Sequence, residues 1–495
     1  MTGKLAETKR KGWREAIAAY RDRRVLAMLF LGYSAGLPFL LVFGTLSTWL
    51  REVGVSRTTI GFLVLTTFAY SLKFAWAPFV DRMPLPYLDR RFGRRRAWML
   101  FAQCAIASGL VGIAFSDPRS SLTLVAVFAV LTAFGSATQD IAIDAFRIES
   151  APPELQGSTA GAYQLGYRLA ILTSGAGALK IAYFADWTAA YLTMAALVLI
   201  GVVTVFIVRE PERAPDGGKM EALAQKLAGK GALGRAGAWF MDAVVGPFMD
   251  FFGRHGWYAL LILLFIGSYR LTDITMGVMA NPFYIDVGFT KSEIAEVSGF
   301  YGVWVGIAGA LLGGVVVARW GLMRPLIACA ILAAASNLLF YLVAVDGREI
   351  LDLGACQDSL CLPDDPAGVR RGDIALLYMT ISAENLVGGA TGTVLIAYLS
   401  SLTNAAYTAT QYALFGSLWS FVGKIVASTS GWIIDETSYP FFFVYTAVLG
   451  VPAVVLAILL ALHARRKSSM PIAGAPVPSG AALASGHAAK QRAAE

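Results

Sequence analysis

Acidic side chains occur inside the most apolar stretches of the chain, where an ionised group is energetically costly. Asp140 and Asp144 are four residues apart in GSATQDIAIDAF, so a helix places their carboxyl groups on one face. Glu384 lies in a second apolar segment and precedes the glycine-rich sequence NLVGGATG. A carboxyl group that is shielded from water can bind and release a proton near neutral pH. The sequence therefore predicts proton-binding sites at Asp140, Asp144 and Glu384, with a structural carboxylate as the alternative.

Two arginines also lie in apolar segments. Arginine stays charged when it is buried, so each one needs an acidic partner or an anionic ligand. For Arg168, substrate contact and a structural ion pair with Asp140 on the neighbouring helix both stay open. Arg270 and Asp273 are three residues apart, so a structural pair on one helix is the alternative to a binding role for Arg270.

Two lysines complete the basic residues of the apolar segments. Lys73 lies toward one end of its segment, and we expect it to extend its ammonium group to the membrane surface. We expect Lys424 to attract a negatively charged substrate. The polar residues that we assign to the same candidate binding site are Tyr163, Gln164 and Asn385. A cavity lined by these groups suits an anionic or zwitterionic substrate.

Membrane-spanning helices must position these residues. The 495 residues are 57% hydrophobic and 15% charged, against roughly 25% charged in an average soluble domain. This composition excludes a disordered chain and leaves too few polar residues to cover the surfaces of soluble domains. The apolar runs predict an all-α polytopic membrane protein with twelve transmembrane helices. They cover roughly residues 25–50, 59–80, 98–115, 121–146, 157–183, 187–208, 256–280, 293–318, 325–345, 373–399, 407–432 and 440–462.

The distribution of Lys and Arg predicts the orientation of these spans. The two tails and the loops on their side hold 29 of the 41 basic residues, whereas the loops on the other side, together with Lys180 near the end of the fifth span, hold 8. Short loops rich in Lys and Arg stay in the cytoplasm, so we expect both termini inside. The net charge of +8 is then a record of topology and no sign of nucleic-acid binding.

A repeat divides the chain into two halves. RRFGRRRAWML after the second span is similar to ARWGLMRPLI after the eighth, and GSATQ in the fourth is similar to GGATG in the tenth. Six-plus-six repeats are typical of the major facilitator fold, with two six-helix bundles and alternating access. The predicted domains are an N-tail (1–24), a first bundle (25–208), a linker (209–255), a second bundle (256–463) and a disordered C-tail (464–495).

Aromatic residues at helical spacing in RAGAWFMDAVVGPFMDFFG predict an amphipathic linker helix on the membrane surface, with a partly disordered tether as the alternative.

The loop after the second span resembles the D-R-x-G-R-R loop of major facilitator proteins. Asp81 and Arg82 are separated from FGRRR by the interruption MPLPYLDRR. We predict that Asp81, Arg94, Arg95 and Arg96 form a gate latch. The alternative is that these charges only set the membrane topology.

The remaining chemistry-bearing residues give few signals. Cys356 and Cys361 could form a disulfide or stay reduced, because sequence spacing alone does not establish the geometry. The sequence has no metal-ligand cluster and no nucleophile constellation, so we expect neither a cofactor nor an enzyme.

The chain resembles the AmpG family of muropeptide permeases within the major facilitator superfamily. The most specific matches are GSATQDIAIDAFRIE at 135–149 and ENLVGGATGT at 384–393, and GYSAGLPFLLVFGTLSTWL and ATQYALFGSL extend them. The interrupted basic loop is also characteristic of the family. Residues at the family's motif positions are Gly36, Gln139, Asp140, Asp144, Arg168, Glu384 and Gln411. The resemblance implies binding roles for Gly36, Gln139 and Gln411.

The resemblance also implies a function. It predicts import of N-acetylglucosamine-1,6-anhydro-N-acetylmuramic acid, with or without stem peptide, across the bacterial inner membrane, driven by the proton gradient. This activity belongs to cell-wall recycling and is linked to β-lactamase induction. We expect a monomer in the lipid bilayer whose partner is the muropeptide substrate. Two alternatives stay open: a carrier of another anionic metabolite such as an acyl-CoA, and a non-transporting receptor for cell-wall fragments.

Overall fold

A computed structural model describes residues 12–56, 68–212, 231–352 and 374–469, and all regular structure within these ranges is helical. The α-helices are α1 (Trp13–Ala18), α2 (Arg23–Leu41), α3 (Gly44–Glu52), α4 (Phe68–Leu72), α5 (Ala77–Arg82), α6 (Leu88–Phe92), α7 (Arg94–Ala114), α8 (Leu122–Ser150), α9 (Gln156–Leu172), α10 (Ala178–Phe184), α11 (Trp187–Ile207), α12 (Gly231–Phe240), α13 (Gly246–His255), α14 (Tyr258–Ser268), α15 (Leu271–Asp286), α16 (Lys291–Ile294), α17 (Gly302–Trp320), α18 (Met323–Asp352), α19 (Ile374–Leu402), α20 (Thr408–Ala427), α21 (Ser430–Glu436), α22 (Tyr439–Val448) and α23 (Val451–Ser469). Short 3₁₀ turns cover Ala19–Arg21, Lys73–Ala75 and Pro153–Leu155, and π-helical turns cover Thr173–Gly177, Met241–Val245 and Ala295–Tyr301.

Nine helices in the described ranges are long and apolar enough to cross a membrane. The three predicted spans outside this set are the second, the fifth and the eleventh. The fifth is helical from Gln156 to Phe184 through the π-helical turn, but it carries Gln164 and Arg168. The eleventh consists of α20 and α21. The fifth and the eleventh spans carry several of the predicted site residues, and their polar side chains lower their hydropathy. The second includes residues 57–67, which the structure does not describe.

The second predicted span is interrupted at Lys73. After the undescribed residues 57–67, α4 ends at Leu72, the 3₁₀ turn covers Lys73–Ala75, and α5 begins at Ala77. Pro78 occupies the first turn of α5, where its missing N–H is not needed. The interruption places Lys73 on irregular backbone inside the protein. Inside a membrane, such backbone is tolerated where it is buried in protein or lines a polar cavity.

Glycines bring the halves of the chain close together. A Cβ added to Gly161 in α9 would lie 3.2 Å from the carbonyl oxygen of Ala310 in α17, and one added to Gly314 would lie 2.8 Å from the carbonyl of Gly157. Small residues at helix interfaces let backbones approach closely in membranes. Within the second half, Gly389 of the predicted tenth span serves packing, because it contacts the backbone of Gly306 in α17.

The linker is helical from Gly231 to His255 and lies against both halves. Trp239 in α12 packs on Phe79 with ring centroids 5.0 Å apart and the rings tilted by 42°, and Asp242 Oδ2 lies 3.2 Å from Arg82 Nε. On the other half, Phe251 packs on Phe415 with ring centroids 5.1 Å apart. The linker therefore crosses the end of the molecule at which the first described helix begins and the last described helix ends, which we call the terminal end. Its contact with the membrane surface stays a prediction, as does the Cys356–Cys361 disulfide, which lies outside the described residues.

Candidate functional site

A lysine and two carboxylates form the first charged cluster, which we call the carboxylate site. Lys73 Nζ lies 3.9 Å from Asp140 Oδ2 and 4.0 Å from Asp144 Oδ2, and all three side chains are largely buried. The expectation that Lys73 extends to the membrane surface is therefore wrong. In a low-dielectric interior, two neighbouring carboxylates hold an ammonium group more strongly than water at a distant surface does. The ion-pair partner of Asp140 is Lys73, and Arg168 faces a different cluster.

Asp144 is shared with a second cation at the terminal end of α8. Arg147 Nη2 lies 3.4 Å from Asp144 Oδ1, one helical turn away. The same guanidinium donates a 2.8 Å hydrogen bond to Ser400 Oγ in α19, and its Cζ lies 5.2 Å from the ring centroid of Tyr412 in α20. Arg147 is completely buried. The carboxylate site is thus connected directly to the second half of the chain.

Arginines from both halves form the second charged cluster, which we call the arginine cluster. Arg168 in α9 interacts electrostatically with Arg270 and Glu384 of the second half. Arg270 pairs with Asp273, with its Nη2 atom 3.1 Å from Asp273 Oδ2, as the structural alternative predicted. Asn385 donates a 2.6 Å hydrogen bond to Glu384 Oε2. Two guanidinium groups and two carboxylates therefore meet where the halves face each other.

A glycine marks the point where the two halves meet at the arginine cluster. A Cβ added to Gly392 in α19 would lie 3.0 Å from Gln164 Nε2 and 3.5 Å from Arg270 Nη1. Arg168 approaches Gly306 of α17 in the same way, closely enough that a side chain there would overlap its guanidinium. Arg270 also lies 5.7 Å from the ring centroid of Trp419. The residues predicted from three separate spans thus share one interface.

Lys424 also bridges the halves. Its Nζ atom donates a 2.7 Å hydrogen bond to Ser71 Oγ, at the end of α4 and two residues before Lys73. Gly416, on the same helix as Lys424, lies beside the Lys73 side chain, since an added Cβ would be 3.9 Å from Lys73 Cε. Helix α20 therefore runs along the carboxylate site and carries Lys424 beyond it.

Other predicted binding residues lie in packing or hydrogen-bonding positions away from the arginine cluster. Gly36 packs against the backbone of Tyr167 in α9, with no room for a side chain. Gln139 is completely buried and exchanges hydrogen bonds with Ser34, donating to its carbonyl at 2.8 Å and accepting from its hydroxyl at 3.1 Å. The Tyr163 backbone packs against Gly32, and its ring lies beside that of Tyr167.

Gln411 belongs to the linker contact. It donates 2.9 Å hydrogen bonds to the carbonyl of Pro247 and to Asp250 Oδ2. Its side-chain oxygen accepts hydrogen bonds from the backbone N–H of Asn404 at 2.8 Å and from Arg254 Nη2 at 3.1 Å. The structure therefore does not bring Gln411 to the charged clusters, because its amide is fully used at the terminal end.

The predicted latch residues Asp81 and Arg95 form a buried ion pair that reaches the second half. Arg95 Nη2 lies 2.8 Å from Asp81 Oδ1, and Arg95 Nε donates a 3.0 Å hydrogen bond to Glu149 Oε2. Asp81 Oδ2 accepts 2.7 Å hydrogen bonds from both the backbone N–H and the hydroxyl of Thr410, and Oδ1 accepts from the N–H of Ala409 at 3.1 Å. The carboxylate therefore sits at the N-terminus of α20, where unpaired N–H groups and the helix dipole favour an anion.

Asp81 lies just beyond the second predicted span, which ends at Val80. Burial acts against its charge, yet the Arg95 guanidinium and the Thr410 hydrogen bonds hold its pKa below the ordinary value. Arg94 donates a short hydrogen bond to the Asp81 carbonyl, and Arg96 donates to the carbonyl of Val205 at 2.8 Å. Arg94 and Arg96 thus brace the first half, and Asp81, paired with Arg95 in its own half, makes the contact across the interface.

Sequence reasoning missed Arg147, Glu149 and Thr410 as site residues. A buried arginine such as Arg95 requires acidic partners, and this requirement was the available signal for Glu149, which lies three residues after the fourth predicted span. Thr410 gave a weaker signal, since only its place at the start of the eleventh span marked it as a helix N-terminus. Among the described residues, no three His, Cys, Asp or Glu side chains are grouped to hold a metal ion.

Comparisons with known proteins agree with this arrangement. Residues 25–356 match the family model of the Major Facilitator Superfamily. The anhydromuropeptide permease of Escherichia coli K12 is 32% identical over 441 residues, which are 88% of this chain and 79% of that protein. The putative transporter AmpG 4 of Rickettsia conorii is 30% identical over 443 residues, which are 89% of this chain and 97% of that protein.

Solved structures show the same fold at low identity. The proton:xylose symporter XylE, bound to 6-bromo-6-deoxy-D-glucose, superposes with a TM-score of 0.61 at 15% identity and covers 90% of this chain and 96% of its own. The transporter FucP in its outward conformation gives a TM-score of 0.61 at 11% identity, covering 88% of this chain and 97% of its own. The relatives are transporters, not enzymes. The chain therefore belongs to the major facilitator superfamily and, within it, to the AmpG family of permeases.

Proposed function

We propose that the protein imports anhydro-muropeptides together with protons, by alternating access, across the bacterial inner membrane. The observation that carries this proposal is the arginine cluster, where Arg168 and Arg270 from opposite halves face one another beside Glu384. The cluster is neutral while Asp273 and Glu384 are both ionised, so proton binding at Glu384 leaves one uncompensated guanidinium, which an anionic ligand then stabilises. A muropeptide with an acidic stem peptide supplies such an anion, and its amides and sugar hydroxyls suit Gln164 and Asn385.

The carboxylate site supports the proton as the coupled ion. Asp140 and Asp144 share Lys73, so the group holds one more negative than positive charge before Arg147 is included. Like charges held close together bind a proton more readily than either does alone. Glu384 lies in the arginine cluster itself, so proton binding there changes the charge that the substrate meets. We propose Asp140, Asp144 and Glu384 as the proton-carrying residues.

The closed terminal end supports the direction of transport. Interhalf contacts at Asp81, Arg147 and Gly161 all lie toward the side that carries both termini. We propose that this side is cytoplasmic, because the basic residues of the loops are concentrated there. A molecule closed at the cytoplasmic end is ready to receive substrate from the periplasm. Opening of the latch then releases the substrate inward, and we propose that a monomer performs the cycle.

Uptake into proteoliposomes tests the proposal. A labelled disaccharide–peptide should accumulate when an inward proton gradient is imposed, and a protonophore should abolish the accumulation. Unlabelled anhydro-muropeptide should compete, whereas an acyl-CoA should not. Accumulation that ignores the protonophore contradicts proton coupling, and competition by acyl-CoA alone contradicts the substrate. Binding without flux in either condition indicates a receptor.

A pair of arginine variants locates the substrate in this assay. Arg168→Gln should raise the half-saturating substrate concentration by about tenfold, equal to about 1.4 kcal/mol of lost binding. Arg119→Gln removes the same charge from a loop at the end opposite the termini, beside Asp117, and should leave uptake unchanged. Equal effects of the two substitutions would show that the arginine acts only through net charge.

A further inference from the structure

Arg147 connects the carboxylate site to the closed terminal end. It contacts Asp144 within its own helix, Ser400 in α19 and the ring of Tyr412 in α20. Ser400 Oγ in turn donates a 2.6 Å hydrogen bond to the carbonyl of Ile396, which fixes its lone pairs toward the guanidinium. One buried side chain therefore joins a titratable group of the first half to two helices of the second.

The charge of Arg147 depends on Asp144 for compensation. Arginine keeps its proton when buried, and its contacts with Ser400 and Tyr412 bring no negative charge. Its Nε atom is buried without a hydrogen-bond partner among the described residues. A buried charge whose partner is removed becomes strongly unfavourable. The closed arrangement of Arg147 is consequently stable only while Asp144 is ionised.

We propose that Arg147 is a positioning residue through which the charge on Asp144 controls separation of the two halves at the terminal end. This inference rests on the proposed function in one respect, the binding of protons at the carboxylate site. While Asp144 is ionised, the guanidinium stays between the halves and holds Ser400 and Tyr412. When Asp144 is neutral, the state in which the guanidinium leaves this site for water is favoured, and the contacts across the interface are released.

The charged and titratable groups that interact with Asp144 come from four segments of the chain. They are Lys73 from the second span, Asp140 and Arg147 from its own helix, Tyr163 from α9 and Tyr412 from α20. Among them, Arg147 alone combines a full charge with a hydrogen bond to the second half. The Asp81 latch does not provide this control, because its pKa is held below the ordinary value and the carboxylate stays ionised at physiological pH.

A double-mutant cycle on the full-length protein tests the inference. Spin labels are attached to cysteines introduced at Glu154 and Ala405, two exposed positions at the terminal end of the first and second halves, in a background without the native cysteines. The distance distribution is measured in lipid nanodiscs for the parent, Asp144→Asn, Arg147→Gln and the double variant. Asp144→Asn should raise the ratio of open to closed molecules by about fivefold or more, the lower limit of typical allosteric couplings.

Non-additivity is the deciding result. In the Arg147→Gln background, Asp144→Asn should change the ratio by less than about twofold, because the group that carries its effect is gone. The same fold-change in both backgrounds, or no change in either, overturns the inference. Ser400→Ala gives an independent check with the charges intact. It should raise the open fraction less than Asp144→Asn does, and an unchanged ratio contradicts the role of this hydrogen bond.

The cycle uses no substrate, so its outcome is independent of the substrate class. If muropeptide uptake proves independent of protons while the Asp144–Arg147 coupling is found, the proposed function fails and the mechanical link stands. If uptake is proton-driven and the coupling is absent, the link fails and the proposed function stands. Acidification from neutral pH should open the parent and have little effect on Arg147→Gln. A purely structural role for Arg147 predicts an altered baseline with the full response to pH.

Discussion

Neutralisation of Asp81 should open the terminal end without unfolding either half. The Asp81 carboxylate is 2% exposed and makes four contacts, one to Arg95 and three to the first turn of α20. Asp81→Asn keeps the shape of the side chain. It replaces one carboxylate oxygen by an NH₂ group. This group faces N–H or O–H donors and cannot accept hydrogen bonds from them.

The size of the effect follows from these contacts. Hydrogen bonds to a charged group contribute about 1.5–3 kcal/mol each, and Arg95 keeps Glu149 as a partner in the variant. Loss of about 2–3 kcal/mol from the closed state lowers the ratio of closed to open molecules by about 30- to 150-fold. Thr410→Val removes only the hydroxyl donor, so its effect should be about tenfold.

The labels at Glu154 and Ala405 report this change as a population at longer distance. Asp117→Asn is the matched control, because it removes the same charge in a loop where Asp117 bonds only to nearby residues such as Arg119. The reasoning is refuted if Asp81→Asn and Asp117→Asn give the same distance distribution, or if Asp81→Asn alters only the melting temperature.

Three further predictions concern the other contacts. Lys73→Met should reduce gradient-driven accumulation by about tenfold while substrate exchange continues, since Asp140 loses its cation and retains its proton, whereas Asp144 keeps Arg147; Lys180→Met, an exposed control, should behave as the parent. Gly392→Ala should weaken substrate binding by about tenfold, as its Cβ crowds Gln164 and Arg270, whereas Gly388→Ala, whose nearest contact would be at 4.0 Å, should not. Asp242→Asn should raise the open fraction of the labelled protein by about threefold, because the linker loses an ion pair to the first half, and an unchanged fraction contradicts this.

The sequence was a good guide to the fold and to which residues are charged inside it. Apolar runs predicted the helices. Because a charge inside a membrane is costly unless it is paired or functional, Asp140, Arg168 and Glu384 were selected as candidate site residues. It could not predict which charges pair between helices, because this pairing depends on helix rotation and on interruptions of the helices. Within one helix, the spacing of Arg270 and Asp273 did offer their pair as an alternative. Lys73 is the clearest case, since a 3₁₀ turn in a segment predicted as one continuous helix directs it to Asp140 and Asp144.

Contacts between distant segments were the other limit. The role of Gln411 in holding the linker depends on Asp250, 161 residues away in the chain, and no local pattern predicts this. The close contacts of Gly36 and Gly306 could not be predicted either. In the sequence, a glycine that serves helix packing cannot be distinguished from one that approaches a ligand. Interhalf geometry therefore had to come from the structure.

Proton movement that accompanies the substrate tests the central claim most directly. Proteoliposomes are loaded with a pH-sensitive dye, and anhydro-muropeptide is added outside without an imposed gradient. We expect the lumen to acidify as the substrate enters, and we expect Asp140→Asn to exchange substrate without acidification. Entry of the muropeptide with no change in internal pH would contradict coupled transport of protons and substrate.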